Sequence, residues 1–282
     1  MKIGFIADFF VEEIHGGGEL NNEELIGLLS EAKHDVLKIK SDRCIAGAFE
    51  HFEENGYNHF IVANFVGLPE EEKRRLMKKK YIIYEHDHKY LPSRNPATYP
   101  NFLAPKEELI NVDFYTNAVA VVCQSTFHKE IVQKNLGLDN IISVGGNLWK
   151  TEVLDYLAEL AVIEKKPTTA VMASPIPHKN TSDALRFCTL QKIPYELIPS
   201  LPYRDFLERL GKNEAFVFFP KTPETLSRIV VEARMMGVKI ITNKLVGATK
   251  EEWFKLKGVE LVEEMRARRE QILKTIVDLL DD

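Results

Sequence analysis

Short apolar runs and stretches of helical period take turns along almost the whole chain, and that alternation excludes most folds before any motif is considered. Runs near residues 2–7, 35–40, 58–64, 80–84, 119–124 and 141–145 have strand length, and the stretches 19–32, 69–79 and 126–136 carry apolar residues at helical spacing. This βαβ rhythm builds sheets covered by helices, so the expected class is α/β. A second series runs through 169–173, 195–198, 216–219, 238–242 and 259–262. Between the series lies 150–167, a helix-like segment whose end, Glu164-Lys165-Lys166-Pro167, reads as a linker. The expectation is two Rossmann-like, doubly wound domains facing a cleft, 1–165 and 166–282, with a final helix over 262–280 packed across their junction. Sheets of this kind bind ligands beyond the carboxyl ends of their strands.

The remaining composition narrows the function classes. A length of 282 residues with 45% hydrophobic content is enough for two domains, and a net charge of -5 gives no global attraction to nucleic acid or anionic membranes. Cys44, Cys123 and Cys188 are odd in number and far apart, which suggests neither a disulfide framework nor a zinc site and fits a reducing cytosol. No stretch reaches the ~18 apolar residues of a membrane span, and the apolar opening runs directly into Glu12-Glu13. The expectation is a cytoplasmic protein without an integral membrane segment, its opening a first strand.

Several residues stand out against this background. In FFPKTPETLSRIVVEARMMG, Glu224 and Glu232 are separated by seven residues. Pro220 stops a strand, Thr222-Pro223 is expected to open a helix and Gly237 to close it, which puts Glu224 in a first helical turn at the positive end of the macrodipole. Glu232 lies among Ile229, Val230, Val231, Ala233, Met235 and Met236, where an ionised carboxylate is costly unless a partner or ligand satisfies it. After the first strand, Gly16-Gly17-Gly18-Glu19 precedes a helix with Asn21 and Asn22 expected in its first turn. Such a loop lets backbone N–H groups approach a diphosphate or a sugar, or is simply a flexible turn. The dinucleotide fingerprint fails there, because Asn21 stands where its third glycine belongs.

The strand over 81–84 ends in Glu85-His86-Asp87-His88. His86 and His88 read as a weak metal pair with no third ligand, or as strand-end histidines bonded to backbone. Lys179 follows the first strand of the second series and can meet a diphosphate as a point charge. Ser125 reads as an N-cap, and Gly247 as part of a turn after the strand at 238–242. Lys73-Arg74-Arg75 and Lys78-Lys79-Lys80 follow Glu70-Glu71-Glu72, a solvated face laced with ion pairs or a patch for an anionic acceptor.

Together these residues resemble the retaining glycosyltransferases of GT-B type that carry an E-x7-E signature, the group 1 or family 4 enzymes, and the chain looks like a short, divergent member. Pro220, Glu224, Glu232, Ala233 and Gly237 match that motif, and Gly16 to Glu19 resembles the family's Gly-Gly-x-Glu loop. The resemblance implies that Glu224 faces the donor sugar and Glu232 holds the ribose. It implies that His86 reaches the cleft near the sugar, Lys179 meets the diphosphate, and Gly16, Gly17, Gly18 and Gly247 border the donor. The chain departs from the pattern at Ser174, where the family has an Arg, and at Asn180, where it has a Gly; His178 and Arg204 are possible substitutes for the missing cation.

The resulting expectation is a retaining transferase that moves a sugar from a nucleotide-diphosphate sugar to a hydroxyl acceptor. Glu224, His86 and Lys179 would be its catalytic residues, with no metal and no cofactor beyond the donor. The acceptor stays open among a small molecule, a glycan, a protein and a modified DNA base. A nucleotide-sugar epimerase of the same architecture and a non-catalytic nucleotide-sugar-binding protein are the alternatives; a nicotinamide-dependent oxidoreductase is disfavoured by the failed fingerprint.

Overall fold

The structure, a computed structural model, describes residues 1–45 and 47–281. The chain divides into two compact units, Met1–Leu148 with Arg268–Asp282, and Trp149–Ala267.

The first unit is built on β1 (Lys2–Ala7), β2 (Asp35–Lys40), β3 (His59–Val62), β4 (Lys80–Tyr84), β5 (Val121–Cys123) and β6 (Ile141–Ser143), interleaved with α1 (Gly17–Glu31), α2 (Ala48–Glu54), α3 (Glu70–Leu76), α4 (Val112–Thr116) and α5 (Thr126–Leu136). The strands form one sheet in the order β2-β1-β3-β4-β5-β6, and every pairing is parallel. Its inner strands β1, β3 and β4 read as near-continuous apolar runs because both faces are covered, while the edge strand β2 carries Lys38 and Lys40 among its apolar residues. Ile6, Phe60, Val62, Tyr81, Ile83 and Val121 pack on one side. Their neighbours Phe5, Ile61, Ile82, Tyr84 and Val122 pack on the other, the period-two alternation of a strand.

The second unit contains α6 (Thr151–Ala161), β7 (Lys166–Met172), α7 (Thr181–Leu190), β8 (Tyr195–Ile198), α8 (Tyr203–Gly211), β9 (Asn213–Phe218), α9 (Arg228–Met235), β10 (Lys239–Thr242) and the start of α10 (Val259–Asp281). Its parallel sheet runs β10-β9-β7-β8. Ala170, Phe216 and Phe218 face a large core with Leu157 of α6, Leu207 and Leu210 of α8, Val230 and Met235 of α9, and Leu261 and Met265 of α10. Val171 and Val217 face a much smaller one with Ala184 and Cys188 of α7. Further along α10, Ile272, Ile276 and Leu280 pack with Leu25, Leu29 and Ile3 of the first unit.

The α/β class and the two parallel sheets agree with the sequence reading; three local expectations do not. Residues 259–262 are the first turn of α10, not a strand, since a short apolar run fits a buried helix face equally well. Pro167, read as linker, is the second residue of β7, where the register with β9 shifts between Lys166 and Thr169 and no ladder N–H is required of it. Because α1 begins at Gly17, Asn21 and Asn22 lie in its second turn. Among the described residues, no helix is long and apolar enough to cross a membrane.

Candidate functional site

In the second unit the strand order reverses between β7 and β9, and the loops leaving those two strands are tied together. Residues Pro177–Lys179 form a single 3-10 turn; Asn180 follows in a left-handed conformation (φ 58°), and its amide donates to the Phe219 carbonyl at 2.8 Å. The Lys221 N–H donates to the His178 carbonyl at 2.8 Å. The loop after β10 joins them through Asn243, whose amide donates to the Pro220 carbonyl at 2.8 Å. Glu224 pairs with this third loop as an isolated parallel bridge to Val246, its N–H donating to Leu245 O (2.8 Å) and its carbonyl accepting from Gly247 N–H (2.9 Å).

On this platform the Lys179 ammonium lies 2.8 and 3.0 Å from the two carboxylate oxygens of Glu224, with the Phe218 ring centroid 5.8 Å away. The fold thus brings together Lys179, Glu224 and Gly247, three residues far apart in the chain. Glu224 is not in a helical turn. Its backbone groups are spent on the 245–247 loop, and α9 begins only at Arg228, after Ser227 at φ 74°.

Glu232, on α9, is 3% exposed. The charge that looked unpaired in sequence is met inside the protein. Oε1 accepts from the Trp149 indole N–H at 2.9 Å and the Tyr203 hydroxyl at 2.6 Å, and the Arg228 guanidinium stands 2.9 Å from it. Arg228 in turn stacks on the Trp149 ring, 4.5 Å from its centroid. The Arg228–Glu232 spacing of four was the one sequence signal for this cluster; Trp149 lies too far away in the chain to be inferred. Ser174, where a cation was expected, shapes its own loop: its hydroxyl accepts from Ile176 N–H (3.2 Å) and its N–H donates to Thr181 Oγ1 (3.0 Å). Arg204 lies 4.1 Å over the Tyr156 ring.

In the first unit the order reverses between β1 and β3, and the glycine loop leaves β1 there. Gly16 is the N-cap of α1, and Gly17 and Gly18 open its first turn. A side chain at Gly16 would run into the Glu19 carboxylate, whose pKa burial and then the nearby Asp8 charge hold above the usual value. Gly18 faces His86: a Cβ there would stand 3.7 Å from the ring, an ordinary contact. The His86 ring is engaged on both nitrogens. Gln124's amide reaches Nδ1, which leaves the proton on Nε2 to donate to Asn22 Oδ1 at 2.6 Å. Burial, then the Lys89 charge, lowers the His86 pKa to about 3, so the ring is neutral. Asn22 entered the sequence reading only as an early residue of the helix and Gln124 not at all, and both become neighbours of His86 only through the fold.

Behind His86 the carboxylate of Glu85, wholly buried, accepts from the N–H groups of His86 and Asp87, from Tyr115 OH and from the Lys89 ammonium. His88 bonds Tyr90 OH through Nδ1 at 3.0 Å, so the two histidines face different partners. Among the described residues, no group of three or more His, Cys, Asp or Glu could hold a metal ion. Ser125 caps α5, its hydroxyl accepting from His128 N–H at 3.0 Å. Asp8, which sequence reasoning passed over, stitches three loops: its carboxylate accepts from Ser41 OH, Val66 N–H (3.0 Å) and Gly67 N–H (2.9 Å). The basic cluster on α3 is largely spent on its own acids, with Lys73 on Glu70, Arg74 on Glu71 and Arg75 near Glu71 and Glu72.

No family model and no curated protein matches the chain. Among solved structures it is similar to Anabaena HepE in complex with UDP and glucose, at a TM-score of 0.57 and 13% identity over 99% of this chain and 92% of that one. It is similar to AviGT4, a glycosyltransferase involved in avilamycin A biosynthesis (TM-score 0.53, 13% identity, 99% and 92% covered). It is also similar to an alpha-glucosyltransferase in complex with UDP and a 13-mer DNA containing a central A:G mismatch (TM-score 0.52, 10% identity, 100% and 92%). The fold is that of the GT-B glycosyltransferases.

Proposed function

We propose that the chain is a glycosyltransferase that moves a sugar from a nucleoside-diphosphate donor to a hydroxyl acceptor. The observation that carries this reading is the meeting of Lys179 and Glu224 at the strand-order reversal of the second sheet, where open α/β sheets bind their ligands. HepE in complex with UDP and glucose, on the same fold, supports a nucleotide-sugar donor.

As the anomeric C–O bond breaks, negative charge grows on the diphosphate, and a fixed cation is worth most where charge develops. Lys179 supplies that cation, compact and partly shielded from water. Glu232 offers the ribose a fixed acceptor: the Trp149 indole N–H and the Tyr203 hydroxyl donate to Oε1, and the Arg228 guanidinium stands beside it. Glu224 and Gly247 border the sugar. His86 enters the site as a neutral hydrogen-bonded group, held by Gln124 at Nδ1 and donating to Asn22 from Nε2. Retention of anomeric configuration is carried by the E-x7-E resemblance, and turnover without metal by the lack of an Asp-x-Asp pair in the sequence. The α3 cations, already paired, favour an uncharged hydroxyl over an anionic acceptor at that surface.

The test is a thermal-shift screen against UDP, GDP, ADP and dTDP and their sugar conjugates. The expected outcome is a raised Tm with one nucleotide family, by the linkage of binding to folding. No stabilisation by any of them would overturn the reading.

A further inference from the structure

The two groups that would meet the donor's phosphates and sugar are bound to each other. The Lys179 ammonium contacts both oxygens of Glu224 at 2.8 and 3.0 Å, and the side chains are only 26% and 12% exposed. The pair is held from both ends, Glu224 by its bridge to Val246 and Lys179 by the 3-10 turn docked through Asn180 and His178. A diphosphate approaching it meets a neutral pair and not a free cation.

We infer that Glu224 is the residue that makes the site specific for the sugar-bearing nucleotide over the bare nucleoside diphosphate, by competing for Lys179; this rests on the donor reading above. Drawing Lys179 onto a phosphate leaves Glu224 without its cation, beside added negative charge and little water, which is unfavourable. An intact donor compensates, because its sugar hydroxyls donate to the carboxylate as the ammonium leaves. A bare diphosphate has nothing to offer Glu224. The exposed Lys221 and Lys244 on the adjoining loops attract both forms alike and do not discriminate. Once the sugar has left for the acceptor, Glu224 recovers Lys179 and the spent diphosphate loses its hold, so the same contact assists product release.

The experiment is calorimetric titration of UDP, GDP, ADP and dTDP, each also as its glucose and N-acetylglucosamine conjugate, into the wild-type chain, E224Q, K179M and the double variant. Glutamine keeps the shape of Glu224 and removes its charge. For the nucleotide that binds wild type, E224Q is expected to bind the bare diphosphate about two- to fivefold tighter, the range for releasing one partly exposed ion pair. The preference for the sugar conjugate shrinks accordingly. K179M binds the diphosphate more weakly, and the double variant behaves as K179M does, since without Lys179 there is nothing to compete for. Unchanged or weaker diphosphate binding by E224Q, or tightening that persists without Lys179, would overturn the inference and leave the donor reading intact. Failure of every nucleotide and conjugate to bind wild type would instead overturn the donor reading, and the inference with it.

Discussion

His88 and His128 are buried in the first unit and His86 is half-buried there; all three are held neutral, His86 near a pKa of about 3 and His128 near about 4, with burial the main cause in each. An unfolded chain protonates them around pH 6.5, so below that pH the unfolded state binds more protons than the folded one. Stability is therefore complete above pH 6.5 and falls as pH drops toward 4, by up to about 1.4 kcal/mol per pH unit for each histidine. Glu19, Glu72 and Glu85, whose pKa values burial raises, act in the opposite sense, while His34 and His59, also lowered by burial, add to the histidines' side. Urea unfolding midpoints between pH 8 and pH 4 check the sign; a flat profile would contradict it. The glycines divide at the same scale. Gly16→Ala is expected to displace Glu19 and lower Tm, whereas Gly18→Ala meets only an ordinary contact with His86 and leaves Tm within a degree or two of wild type. The strand-end position of His86 was legible in the sequence, but the partners that fix its proton were not, because Asn22 and Gln124 stand 64 and 38 residues away.

Among elements, α9 departs most from expectation. Thr222-Pro223 carries the residue types of a helix start, yet the chain spends 222–227 docking Glu224 against the β10 loop, and local preference yields to that tertiary pairing. Ser227 then stands at the N-cap without capping, at φ 74° and ψ 82°, its buried hydroxyl unpartnered. A left-handed conformation costs a non-glycine residue roughly 1–2 kcal/mol. Ser227→Gly is expected to raise stability by about 1 kcal/mol, measured by chemical denaturation; a loss would show that the serine makes a contact worth more than its strain. Most strands of the sheets were readable from apolar runs, since burial on both faces of the inner strands leaves few polar residues to blur them. The run at 259–262 was misread because a buried helix face, with Leu261, Val262 and Met265 in one core, looks the same over four residues.

At the level of the whole chain, alternation of strands and helices was enough to give two parallel sheets. What it could not give was which loops meet. Lys179 and Glu224 are 45 residues apart and come together only because β7 and β9 are neighbours while β8 lies outside them. That order turns a lysine after one strand and an acid after another into a candidate site. The central claim is that this site breaks the bond between a sugar and a nucleoside diphosphate. Its most direct measurement is release of nucleoside diphosphate from the donor found in the binding screen, followed with an acceptor panel in the wild-type chain and in K179M. The account predicts acceptor-dependent release by wild type and a loss of about 100-fold or more in K179M, the usual scale for removing a group that stabilises developing charge. No release by wild type, or release undiminished in K179M, would contradict it.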